Sequence, residues 1–191
     1  MEELSQHILD LAYNSLEAGA TCIEITIRED TAANVLEIIV RDNGRGMARE
    51  DVPRVLDPFF TTKDRKRVGL GIPLLQEAVD RCDGFFEIEA QPLVGVTVRA
   101  LFPHNHLDRA PLGDISGAIS VLLAGNRSLN LTYKHHYNGQ TFCFETGEFK
   151  NMLGDIPIHR PDIMVWLEKH LAREIANLRE AEKNEEHQRT G

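Results

Sequence analysis

The 191-residue sequence lacks the features that mark several classes of protein. It has 21 basic against 30 acidic residues and a net charge of −9, which does not indicate a nucleic-acid-binding surface. Its three cysteines, Cys22, Cys82 and Cys143, form no CxxC or metal-ligand spacing, so we expect reduced thiols. No apolar run approaches the roughly 20 residues of a membrane-spanning helix, and the acidic N-terminus does not resemble a signal peptide. We therefore expect a cytoplasmic protein that binds neither nucleic acid nor membrane.

Apolar residues, at 42%, are sufficient for a hydrophobic core, and their spacing predicts the first half of the fold. The predicted order is helix, strand, strand, helix, helix, strand, strand. This order indicates an α+β fold, a two-layer α/β sandwich with an antiparallel or mixed sheet and helices on one face. The expected helices cover 3–18, 49–56 and 69–82, and the expected strands cover 21–27, 35–40, 84–91 and 95–103.

A polar stretch with two prolines, residues 103–114, indicates a boundary, so we expect one domain at 1–105 and a C-terminal unit at 111–191. Apolar residues at helical spacing follow the boundary. A hairpin is expected next, over residues 129–149, because Asn138-Gly139 favours a type I′ turn. A last helix is expected to begin at Pro161. The C-terminal unit is thus predicted to be helix, hairpin, helix.

Two polar motifs lie in the first 50 residues. Asp10 and Asn14 are four residues apart and share one face of the first helix, where a carboxylate and a carboxamide could contact a metal or phosphate. Alone, such a pair also fits a solvated helix face. The stretch "DNGRGM" at 42–47 follows a buried strand. It could be a plain turn, or an aspartate that accepts a hydrogen bond beside glycines that admit a flat ligand.

Two further motifs follow. In "DPFFTTK" at 57–63, two aromatics precede two hydroxyls and a lysine that could donate to phosphate, although a structural loop is the alternative. In "GLGIP" at 69–73, glycines precede a helix whose first N–H groups could face an anion. Neither a GxxxxGK[ST] loop nor a GxGxxG fingerprint is present.

Together and in this order, the four motifs resemble the boxes of the GHKL (Bergerat-fold) ATPase superfamily, which includes gyrase, heat-shock chaperone ATPases, sensor histidine kinases and mismatch-repair ATPases. "YNSLEAGAT" followed by "IEITI" is most similar to the mismatch-repair branch. "DPFFTTK", "GLGIPLLQEAVDRCDGFFEIEA" and "GVTVRALFP" are most similar to the histidine-kinase ATP-binding domain. The resemblance covers residues 3–103.

The resemblance implies a site for ATP or ADP with Mg²⁺. Asn14 would coordinate the metal on the triphosphate, and Asp42 would accept a hydrogen bond from the adenine amino group. Thr97 would assist Asp42 through a water molecule. The remaining implied contacts are Gly44, Gly46 and Met47 at the base, Thr61, Thr62 and Lys63 in a lid, and Gly69, Leu70 and Gly71 around the phosphates.

Asp10 occupies the position of the general base in the members of the superfamily that hydrolyse ATP, which usually carry glutamate there, whereas histidine kinases usually carry asparagine. Aspartate can act as a base but reaches less far. We therefore keep three hypotheses: a slow Mg-dependent ATPase or nucleotide-driven switch acting on a protein partner, a histidine- or serine-directed kinase acting in trans, and a non-catalytic nucleotide-binding adaptor. In each, residues 111–191 would contact the partner, and a homodimer is possible. No histidine phosphoacceptor pattern is present.

Overall fold

The computed structural model describes residues 3–56 and 71–189, with side chains to residue 180. A 3₁₀ turn at Arg49–Asp51 precedes α2. The helices are α1 (Leu4–Glu17), α2 (Val52–Val55), α3 (Gly71–Asp80), α4 (Ile115–Gly125), α5 (Thr146–Leu153) and α6 (Pro161–Arg189). The strands are β1 (Cys22–Asp30), β2 (Val35–Asp42), β3 (Phe85–Gln91), β4 (Gly95–Pro103), β5 (Asn130–Tyr137) and β6 (Gln140–Glu145).

The six strands form one mixed sheet in the order β3-β4-β2-β1-β5-β6. All neighbouring pairs are antiparallel except β1 and β5, which are parallel. The α+β class with a mixed sheet is therefore confirmed. Among the described helices, none has the length and apolar character needed to cross a membrane.

The helices cover one face of this sheet. Side chains alternate along β1, where Ile23, Ile25 and Ile27 are buried, so every second residue faces the helical layer. Helix α1 packs against α3 and α4, and α4 packs against α6. On β1 the alternate positions, which face the other side of the sheet, are the polar Glu24, Thr26 and Arg28. The layer of helices thus covers the apolar face of the sheet.

The C-terminal segment continues the same sheet and core. Strand β5 pairs with β1, with Cys22 opposite Asn130. Leu131 on β5 and Leu171 on α6 are fully buried and belong to the same apolar cluster as Leu4 on α1. The connection that we expected to separate two units therefore joins elements of one continuous core.

One element was not expected. The hairpin prediction extended through Phe149, whereas β6 ends at Glu145 and α5 begins at Thr146. The Thr146 hydroxyl donates to the carbonyl oxygen of Leu131 at 2.7 Å and accepts from the Leu131 N–H at 2.6 Å. This pair of hydrogen bonds fixes the start of α5 against β5, so the prediction of strand here was wrong.

Candidate functional site

Asp42 is the last residue of β2 and is fixed by two donors. The Ser15 hydroxyl on α1 donates to Oδ2 of Asp42 at 2.6 Å, and the N–H of Gly44 donates to Oδ1 at 2.8 Å. Ser15 is buried, whereas Asp42 is half-buried. An ionised carboxylate has about four acceptor positions, so it retains capacity for a further donor. Ser15, which lies directly after Asn14, is not among the site residues expected from the sequence.

The residue after Asp42 has a structural role. The side-chain oxygen of Asn43 accepts from the backbone N–H groups of Thr21 and Cys22, each at 2.9 Å, and its amide donates to the Thr21 hydroxyl at 3.0 Å. These hydrogen bonds hold the loop after β2 against the start of β1. In "DNG", the aspartate therefore presents an acceptor while the asparagine anchors the loop.

The two glycines of this loop are required by close contacts within the chain. A Cβ atom on Gly44 would lie 3.0 Å from both the Ala18 Cβ and Oδ1 of Asp42. Gly46 has a φ of +61°, and a Cβ atom there would collide with the carbonyl oxygen of Gln91. We expected these glycines to admit the base, which stays a prediction; the structure shows that contacts within the chain require them. Met47, in the same loop, is half-buried.

The first turn of α3 brings three expected site residues together. A Cβ atom on Gly71 would lie 2.9 Å from the Asp10 Cβ and 3.6 Å from the side-chain nitrogen of Asn14. Asp10 is exposed and Asn14 is half-buried. A carboxylate and a carboxamide therefore adjoin a helix N-terminus, where the exposed N–H groups and the helix dipole favour an anion.

The fold does not place the Thr97 side chain beside Asp42. Thr97 on β4 lies opposite Arg41 on β2, and directly opposed residues share one face of a sheet. Since neighbouring residues of a strand point to opposite faces, Asp42 and Thr97 face opposite sides. Val96, the residue before Thr97, packs against the core, on the same side as the buried Val98 and Ala100. We expected Thr97 to assist Asp42 through a water molecule. The structure corrects this expectation, because the Thr97 side chain points away from the face on which Asp42 lies.

The expected lid and phosphate residues before α3 fall outside the described part of the chain. Among the described residues, no group of three or more His, Cys, Asp or Glu side chains could hold a metal ion by itself. The hard oxygen donors of Asn14 and Asp10 fit magnesium, which is usually held by few protein groups together with substrate phosphates. The predicted residues outside the description are Thr61, Thr62, Lys63, Gly69 and Leu70.

Comparison with known proteins identifies the first part of the chain. Residues 2–106 match the family described as histidine kinase-, DNA gyrase B-, and HSP90-like ATPase. The non-motile and phage-resistance protein of Caulobacter vibrioides is 28% identical over 124 residues, 60% of this chain and 15% of that protein. Sporulation kinase C of Bacillus subtilis is 30% identical over 101 residues, 53% of this chain and 23% of that protein. This chain thus spans less than a quarter of these relatives' length.

A solved structure extends the similarity in fold. The N-terminal domain of a DNA repair protein aligns with a TM-score of 0.53 and 15% identity. The alignment covers 76% of this chain and 53% of that chain. It therefore includes more of the fold than residues 2–106.

Proposed function

This chain belongs to the family of histidine kinase-, DNA gyrase B- and HSP90-like ATPases, and we propose that it acts as a nucleotide-driven switch or slow magnesium-dependent ATPase upon a protein partner. The proposal rests on the position of the Asp42 carboxylate at the end of β2, where the Ser15 hydroxyl and the Gly44 N–H both donate to it. We assign the adenine base to this end of the site and the phosphates to the start of α3.

At the base end, the fixed carboxylate of Asp42 selects adenine. Its remaining acceptor positions suit the exocyclic amino group of adenine, whereas guanine presents a carbonyl oxygen at the corresponding place. Two acceptors facing one another would leave both without a donor, which is costly in a partly buried site. Gly44, Gly46 and Met47 complete the surroundings of the base.

At the phosphate end, Asn14 holds the magnesium ion that accompanies the triphosphate. The ion, when bound, neutralises phosphate charge and polarises the terminal phosphoryl group. The Gly71 end of α3 supplies N–H groups to phosphate oxygens. Asp10 adjoins both and accepts a proton from water or from a partner's hydroxyl, directly or through one water.

The family resemblance implies a lid with Thr61, Thr62 and Lys63 and phosphate contacts from Gly69 and Leu70, and we propose these roles here. Hydroxyl, ammonium and backbone donors of this kind would contact the terminal phosphate, which only ATP provides. A lid that contacts ATP and not ADP gives the two nucleotides different affinities for its closed state, which is the requirement for a switch. Residues 111–191 carry the partner surface.

Binding is tested by calorimetry with Mg-ATP and Mg-ADP. Asp42→Asn replaces one acceptor oxygen with a donor and is expected to abolish measurable binding. Asp155→Asn is the matched control, since this exposed aspartate lies beyond α5 and is expected to leave binding unchanged. Equal binding by wild type and Asp42→Asn would contradict the assignment of the base.

The fate of the terminal phosphate is tested separately, because the carboxylate at Asp10 also suits phosphotransfer. Labelled ATP is followed for phosphate release, for transfer to a co-purified protein and for retention. Release that Asp10→Asn abolishes supports hydrolysis, and transfer supports a kinase acting in trans. Intact ATP after hours on a folded protein supports a non-catalytic adaptor and contradicts turnover.

A further inference from the structure

A second cleft lies at the opposite end of the sheet from the nucleotide site. It has a volume of about 660 Å³ and is formed by the end of β1, the connection before α4, and α6. Glu29 in its wall is six residues along β1 from Ile23, the residue that pairs with Asp42. At about 3.3 Å per residue, the two sites are about 20 Å apart. A ligand here would therefore be distinct from the nucleotide.

Glu29 is the most buried charge in this wall, and its hydrogen bonds are already made. Its carboxylate accepts from Nε2 of His135 at 2.9 Å, from Nε2 of His104 at 3.0 Å and from Nη2 of Arg179 at 2.9 Å. The Arg179 guanidinium also lies over the Tyr137 ring, 5.7 Å from its centroid. The charges of Glu29 and Arg179 therefore neutralise one another. The electrostatic potential in the cleft is then set by its other charged groups.

Of the two arginines that line this cleft, Arg109 is the one that forms no salt bridge with a described residue, whereas Arg179 pairs with Glu29. Its Nε donates to the carbonyl oxygen of His104 at 2.7 Å, and its Nη1 donates to that of Ala110 at 3.0 Å. These neutral acceptors fix the half-buried guanidinium in place and use two of its five N–H groups. Within residues 3–56 and 71–180, no carboxylate forms a salt bridge with it.

The opposite wall of the cleft, on α6, is formed by small and apolar side chains. Ala172 and Ala176 lie one turn apart on α6, and Ile175 between them is half-buried. Asp114 also lines the cleft, but its carboxylate caps α4 by accepting from the Ser116 hydroxyl at 2.7 Å and the Gly117 N–H at 2.8 Å. Its negative charge disfavours a ligand with several negative charges.

We propose that this cleft binds a small organic monoanion, a carboxylate that pairs with Arg109 and an apolar body that contacts Ala172, Ile175 and Ala176. Arginine suits this ligand because its planar guanidinium presents paired N–H groups to the two oxygens of a carboxylate. The cleft walls include Glu29 and His104 from the family-matched residues, whereas the proposed contacts with the anion come from the connection before α4 and from α6.

The test uses the full chain and sodium benzoate, followed by calorimetry at constant ionic strength. We expect saturable binding that Arg109→Gln weakens about tenfold or more, because a charge-assisted hydrogen bond is lost. Arg127→Gln, at an exposed arginine after α4, is the matched control and is expected to bind as wild type does. Absence of saturable binding to wild type, or equal binding by Arg109→Gln, would overturn the proposal.

A second variant keeps the test decisive if Arg109→Gln does not fold. Ala176→Phe narrows the cleft from an exposed position of α6 and leaves Arg109 intact, so benzoate binding is expected to be lost while circular dichroism stays unchanged. Unchanged benzoate binding by this folded variant would overturn the proposal, as would inorganic phosphate that binds as tightly as benzoate. Asp42→Asn is expected to retain benzoate binding, which separates this site from the nucleotide site.

Discussion

Replacing Glu29 with glutamine should destabilise the protein at neutral pH and make its stability less sensitive to acid. The Glu29 side chain is 4% exposed. Burial alone would raise its pKa, but hydrogen bonds from His135, Arg179 and His104 outweigh burial and lower the pKa from 4.5 to about 2. A folded pKa below the unfolded value stabilises the protein above pH 4.5, and this contribution is lost as the pH falls toward 2.

The expected loss of unfolding free energy follows from the lowered pKa of Glu29. At about 1.4 kcal/mol per pKa unit, a drop from 4.5 to about 2 corresponds to at most about 3.4 kcal/mol. Since the Arg179 side chain is 46% exposed, solvent screens part of the attraction, and we expect about 2 kcal/mol. Glu29→Gln should therefore lower the free energy of unfolding by about that amount at pH 7, and this deficit should shrink by more than half at pH 3.

The assay is urea unfolding at several pH values, followed by circular dichroism. Glu24→Gln is the matched control on the same strand, because the Glu24–Lys134 salt bridge is exposed and should contribute less than about 1 kcal/mol. The reasoning is refuted if Glu29→Gln loses no more stability than this control. It is refuted equally if the difference between Glu29→Gln and wild type stays constant from pH 7 to pH 3.

Three further substitutions test the site and the core. Ser15→Ala removes the donor to Asp42 and should weaken Mg-ATP binding about tenfold in calorimetry, so a change below twofold contradicts its orienting role. Gly46→Ala should cost more than about 2 kcal/mol of unfolding free energy in thermal denaturation, because its Cβ meets the Gln91 carbonyl; an unchanged midpoint argues against that contact. Leu171→Ala should cost about 3 kcal/mol within a single unfolding transition, whereas two transitions indicate that the C-terminal segment unfolds separately.

The parts of the fold that follow from neighbouring residues could be predicted from the sequence. Helix α1 follows from its apolar spacing, and the hairpin turn follows from Asn138-Gly139, whose φ angles are +44° and +89°. The pairing of β5 with β1 has no such local signal, because a parallel pair needs no turn between its strands. Phe149 was misassigned because the residues after β6 do not show a clear helical period.

The residues of the candidate site that belong to sequence motifs could be predicted. Asp42, Asn14 and Asp10 stand at motif positions, and the fold places them along α1 and beside it. Thr97 shows the limit of such reasoning, since a shift of one residue along a strand moves a side chain to the opposite face. Ser15 could not be identified, because its partner Asp42 is 27 residues away and only the packing of α1 on the sheet brings them together.

The parallel pairing of β1 with β5 also affects how the chain folds. Cys22 and Asn130 are 108 positions apart in sequence, so one edge of β1 stays unpaired until β5 is available. Contacts of such separation slow folding, and an unpaired strand edge is a template for association with other chains. A fragment that ends at residue 106 would match the ATPase family and still expose this edge, so it should be more prone to aggregate than the whole chain.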